Sequence, residues 1–189
     1  ILLLVSLISL LVVVPQWNPP SDVNFALPWP SNEYTVQDGS SVTGLRLSIP
    51  VDRLPPIKGG GSWNMQYWNE LDGFSVMSPL LVKLSQVGSL GLIPWDNIES
   101  YSAINATTVV INAKTGQKIP HWVEVDANEP IDPLLVIQPA VPLDWATRYV
   151  VGIRNLVTKS GSPIEASEEF KQLRDDADKT LKWRHFDEA

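Results

Sequence analysis

Two runs rich in β-branched residues face each other between Val109 and Val125 across Asn112-Ala113-Lys114-Thr115-Gly116-Gln117, and no other stretch constrains the fold as much. Gly116 can take positive φ, so the spacing predicts a hairpin. Its second arm sets Ile119, His121, Val123 and Val125 on one face and Pro120, Trp122, Glu124 and Asp126 on the other, giving one side to a core and one to water. Further short runs lie at Val42 to Ile49, Pro79 to Leu84, Thr107 to Ile111, Leu134 to Ile137 and Arg148 to Leu156. Short β-rich runs separated by turn residues are the pattern of an all-β sandwich.

The last two runs are joined by Pro139-Ala140-Val141-Pro142-Leu143-Asp144-Trp145-Ala146-Thr147-Arg148-Tyr149, where Leu143 precedes Tyr149 by six residues. That spacing fits a tyrosine corner, in which the phenol hydroxyl returns to an upstream backbone group and locks a crossover between sheets. After Gly161-Ser162-Pro163 the periodicity changes. Ala166, Phe170, Leu173 and Ala177 recur at helical spacing, with acids early and Lys171 and Arg174 later, as the helix dipole favours. Residues 163–189 are therefore expected to begin a helical connection to a further domain beyond Ala189.

The other end is apolar. Ile1 to Val14 reads ILLLVSLISLLVVV, uncharged and followed at once by Pro15. Its length suits the apolar region of a signal peptide and falls short of the roughly 20 residues a spanning helix needs, so it is expected to be a helical export segment, cleaved or kept as an anchor. Contact with a membrane is expected only through residues 1–14, if uncleaved. Pro15, Pro19, Pro20, Pro28 and Pro30 make residues 15–30 an extended linker. The folded module is expected over residues 31–160, outside the cytoplasm: extracellular, periplasmic or at the cell surface.

Charge and composition exclude several functions. With 14 Lys+Arg against 21 Asp+Glu, a net charge of -7, and no basic stripe, the chain is a poor partner for nucleic acid. The absence of cysteine removes a disulfide scaffold, a thiolate zinc site and a thiol nucleophile. No Gly-x-Ser-x-Gly elbow occurs, and of the two histidines His185 lies in a charged tail while His121 sits mid-strand, where a hydrogen-bonded structural role outweighs a catalytic one. No catalytic set and no cofactor are expected within these residues.

Two binding candidates remain, each with a plainer reading beside it. Glu124, Asp126, Asn128, Glu129 and Asp132 crowd one turn, an oxygen-rich set of the sort that suits Ca²⁺, although the spacing follows no calcium loop and a solvated acidic turn is the simpler account. Trp63, Tyr67, Trp68 and Phe74 lie close together and make either a ligand or partner platform or part of a core. Gly59-Gly60-Gly61-Ser62 lacks the context of a phosphate cradle and serves flexibility.

Several separated strings resemble one family. They are Trp29 to Val36 (WPSNEYTV), Thr43 to Leu47 (TGLRL), Trp68 to Leu80 (WNELDGFSVMSPL), Thr115 to Asp126 (TGQKIPHWVEVD), Ile137 to Ala140 (IQPA), Arg148 to Leu156 (RYVVGIRNL) and Phe170 to Asp175 (FKQLRD). Together they resemble secreted bacterial proteins whose N-terminal immunoglobulin-like part precedes an α/β-hydrolase-like domain akin to extracellular lipases. Trp29 stands where that family more often has Phe, and Ser31 looks inserted. The resemblance implies a mainly β, immunoglobulin-like Greek-key sandwich with an apolar export helix before it and a helix after it. It also implies a lipase- or esterase-like parent whose catalytic residues lie downstream, so the partner expected is the hydrolase-like domain of the same chain. The rival expectation is a cell-surface adhesion or ligand-binding module with no enzymatic partner.

Overall fold

The computed structural model describes residues 3–6, 27–31, 34–54, 57–128, 133–166 and 171. Strands fall on the expected β-rich runs, and two more form outside them, at Leu3–Ser6 and Thr35–Gln37. The strands are β1 (Leu3–Ser6), β2 (Thr35–Gln37), β3 (Leu45–Leu47), β4 (Leu80–Lys83), β5 (Thr108–Asn112), β6 (His121–Val125), β7 (Leu134–Pro139) and β8 (Tyr149–Ile153). All pairings among them are antiparallel, in two three-stranded sheets, β1-β8-β5 and β4-β7-β6, and a two-stranded ribbon, β2-β3. The fold is mainly β, and among the described residues no helix is long and apolar enough to cross a membrane.

Alternation decides what each strand buries. On β5 the sequence Thr-Val-Val-Ile-Asn hides Thr108, Val110 and Asn112, and on β6 it hides His121 and Val123. Leu80, Val123, Leu135 and Ile137 from one sheet and Val110, Tyr149, Val151 and Ile153 from the other join a single buried cluster, completed by Val87, Ile93, Ile119 and Leu156. At ~25 cal/mol per Å² of apolar surface removed from water, this shared cluster holds the two sheets together. A smaller cluster of Tyr34, Leu47, Ile49 and Met65 lies under the ribbon, with Trp29, Leu54 and Phe74 packed against it.

The expected hairpin is corrected. Its turn forms as read: Gly116 has φ +72°, Asn112 donates its backbone N–H to Gln117 at 2.9 Å, and Ile111 faces Lys118 in an isolated bridge. The arms then part, because β5 pairs with β8 and β6 with β7. Pro120 has no N–H to continue the ladder, and its carbonyl accepts from Ala140 of the other sheet instead, at 2.8 Å. The connection is thus an arch from one sheet to the other.

Two edges of the folded region also differ from expectation. Trp29, read as linker, exchanges backbone hydrogen bonds with Leu81 on β4 at 2.9 and 2.7 Å. Past residue 160 the chain folds back, with Val157 bridged to Pro163 and Ile164 N–H donating to the Leu156 carbonyl at 2.9 Å. Within the apolar segment, Leu3–Ser6 runs as an extended strand beside β8, where a helix was expected. Residues 1–2 and 7–26 of the export segment and linker, and all of the expected C-terminal helix from 167 onward except Lys171, lie outside the described residues.

Candidate binding cleft

A cleft of about 640 Å³ opens where the small cluster under the ribbon meets the main core, a volume within the range of small-ligand sites. Leu47, Ile49 and Met65 on one side and Leu80 and Tyr149 on the other line it, so its floor consists of residues of both clusters. Trp29 is fixed by its backbone pairing to Leu81, by its indole N–H donating to Ser78 Oγ at 3.2 Å, and by ring contacts to Phe74 and Tyr34 at centroid separations of 5.0 and 5.5 Å. Edge and tilted contacts of this kind add to the area buried and hold the wall in one arrangement.

The rim comes from two loops. Trp68 opens a 3-10 turn, Trp68–Glu70, anchored by Asn69, whose N–H donates to the Met65 carbonyl at 2.8 Å and whose Oδ1 accepts from Ile49 N–H at 3.0 Å. Opposite, the β7–β8 crossover carries Trp145. Leu143 N–H donates to the Val76 carbonyl at 2.9 Å, tying that crossover to the loop that bears Phe74. Tyr149 Oη accepts from the Asp144 backbone N–H at 2.7 Å, so the phenol does return upstream across a sheet-to-sheet connection, as its spacing suggested. Burial pushes the Tyr149 phenol up from its usual range, with the Asp144 carboxylate acting the same way against the backbone hydrogen bond, so it stays neutral at physiological pH.

Of the four aromatic residues singled out in sequence, Trp63, Trp68 and Phe74 line the cleft, and Tyr67 points to solvent away from it. Trp29, Met65, Leu143 and Trp145 were not foreseen. The signal for Trp145 was present, since a tryptophan in a Pro- and Asp-rich turn has no strand face to hide on. It is 83% exposed, and Trp68 is 58% exposed.

The acidic turn is built differently. Asp126 Oδ1 accepts from both the backbone N–H and the side-chain amide of Asn128, at 2.8 and 3.0 Å, which makes a local turn. Glu124 lies on the exposed face of β6, while Glu129 and Asp132 lie outside the described residues. Among the described residues no group of three or more His, Cys, Asp or Glu is placed to hold a metal ion.

His121 belongs to the core. It is 0% exposed, with Nδ1 at 2.8 Å from the Ile119 carbonyl and Nε2 at 2.9 Å from Thr108 Oγ1. A carbonyl only accepts, so Nδ1 carries the proton and Nε2 accepts from the Thr108 hydroxyl. Burial lowers its pKa, against an upward pull from the Ile119 hydrogen bond. Both ring nitrogens are engaged: Nδ1 holds the ring to its own segment at Ile119, and Nε2 joins β6 of one sheet to Thr108 on β5 of the other. Comparison with protein-family models, curated proteins and solved structures gives no match to this chain.

Proposed function

We propose that this chain is a non-catalytic, exported β module that works by binding, serving as the N-terminal part of a lipase- or esterase-like α/β-hydrolase whose catalytic domain it positions or tethers. The observation that carries the binding role is the preformed aromatic cleft, with indoles held open to solvent at its rim. Large aromatic rings kept exposed beside a concave apolar wall mark a surface made to be covered. The burial of His121 supports the non-catalytic half of the reading, since the imidazole is 0% exposed and neither it nor Thr108 lines the cleft, so no substrate reaches the pair. The immunoglobulin-like sandwich and the hydrolase connection rest on the resemblance of the strings from Trp29 to Asp175, and the two-sheet core and the tyrosine-anchored crossover are compatible with such a sandwich.

The test is twofold. Reading the coding sequence beyond Ala189 is expected to give a Gly-x-Ser-x-Gly elbow and a later histidine; a continuation with neither removes the hydrolase half. The 189-residue chain is expected to give no turnover of a short-chain chromogenic ester above buffer. Turnover abolished by His121→Ala overturns the non-catalytic half. The cleft equally favours a cell-surface ligand-binding module without an enzymatic partner, and the downstream reading separates the two.

A further inference from the structure

We propose that the cleft is a docking groove for an extended, proline-containing peptide segment bearing a lysine or arginine, contributed by a partner protein. The inference stands on the chemistry of the cleft and holds whether or not a hydrolase domain follows.

Three features select that occupant. The first is the wall. Trp63, Trp68 and Trp145 present flat, exposed indole faces at the mouth of an apolar floor. Aromatic-lined grooves of this form take proline rings in the polyproline II conformation, which is already extended and loses little entropy on docking.

The second feature is hydrogen-bonding capacity. Three hydroxyls on the wall are committed internally: Thr43 Oγ1 donates to the Asp72 carbonyl, Thr147 Oγ1 donates to the Trp145 carbonyl, and Ser78 Oγ accepts from the Trp29 indole while donating to the Pro79 carbonyl. A sugar, with a hydroxyl on nearly every carbon, loses water there and regains few partners. A proline-rich strand brings few N–H donors to satisfy, because each proline lacks one.

The third feature is charge. Among the described residues lining the cleft, the ionisable side chains are Asp72, Asp144 and the neutral phenol of Tyr149, with no lysine, arginine or histidine. Such a wall attracts a cationic side chain and repels a fatty carboxylate or a phosphate head group, and the net charge of -7 acts in the same direction at longer range. The exposed indoles offer a cation a second favourable contact across their faces.

The experiment is fluorescence anisotropy on the 189-residue chain with three labelled decapeptides: proline-rich with arginine, the same with glutamate for arginine, and glycine-serine with arginine. The first is expected to bind at least ~10-fold more tightly than either of the others, a difference of about 1.4 kcal/mol. Trp68→Ala and Trp145→Ala, at exposed positions where truncation leaves the core intact, are each expected to weaken it ~10-fold or more with circular dichroism unchanged. Asp144→Asn is expected to weaken it several-fold and flatten its salt dependence. Equal binding of all three peptides, binding untouched by both tryptophan variants, or no peptide binding at all overturns the proposal. So does Trp68-dependent binding of a monomeric neutral alkyl glucoside without peptide binding, which assigns the cleft to an acyl chain.

Discussion

Thr108→Val tests whether the buried imidazole holds the two sheets together. Valine keeps the branched shape of threonine and replaces its hydroxyl with a methyl, so little cavity forms and the change reads out the hydrogen bond at 2.9 Å from His121 Nε2. The histidine side is 0% exposed, so the stranded nitrogen finds no water. An unsatisfied buried acceptor costs about 1–3 kcal/mol, well above the ±0.5 kcal/mol of an ordinary surface change. In a domain of this size each kcal/mol moves Tm by roughly 2–4 °C. The assay is urea unfolding of both proteins at pH 7.5, followed by circular dichroism, with the slope against denaturant required to stay constant. A cost within 0.5 kcal/mol of zero refutes the assignment of Nε2 as a buried acceptor. The same site sets a pH dependence. The folded-state pKa of His121 lies below its ordinary value of 6.5, so the unfolded chain binds the proton more readily. Stability from this group is complete above about pH 6.5 and declines as the pH falls through and below that value; a parent protein equally stable at pH 7.5 and 5 contradicts this.

Other outcomes follow from single contacts. A methyl group on Gly88 would lie 2.9 Å from backbone atoms of Thr158 and Lys159, so Gly88→Ala is expected to push the returning segment away from Val87 and cost about 1–3 kcal/mol by thermal or urea unfolding, whereas a cost below 0.5 kcal/mol means the approach is looser than described. Gly116→Ala has open space around it, and its cost of about 1–2 kcal/mol is expected to come from φ +72° alone. Tyr149→Phe removes the acceptor for Asp144 N–H and is expected to cost about 1 kcal/mol, with faster amide hydrogen exchange at Asp144; unchanged exchange denies the corner its role. Asp38 is held down to about 2 by the Ser40 hydroxyl first and Arg46 next, so its carboxyl resonance is expected to titrate near pH 2, and a midpoint near 4 in NMR shows the turn is not formed in solution.

How much of this was legible in the sequence depends on what each signal encodes. Runs such as Thr107 to Ile111 and Leu134 to Ile137 announced strands because β-branched side chains restrict the backbone locally. Alternation placed Ile119, His121 and Val123 on one face, and all three are buried. Partners were not legible. A two-residue period says which side of a strand is buried and nothing of which strand lies beside it, so the turn at Gly116 read as a hairpin although Pro120 ends the pairing and sends the chain to the opposite sheet. The cleft was half visible for a similar reason. Trp63, Trp68 and Phe74 cluster in sequence, whereas Trp29 and Trp145 reach the same cleft only through the fold.

The arrangement of connections also governs when the molecule can form. Only β6 and β7 are neighbours both along the chain and within a three-stranded sheet; β4 waits for β7, and β5 finds its place only against β8, with Thr108 opposite Ile153. Such distant closures make folding slow, on the order of milliseconds to seconds. Until residue 153 has been synthesised, the sheet containing β5 lacks its central strand. A polypeptide halted short of that point is left with β5 unpaired and the shared core without Val151 and Ile153.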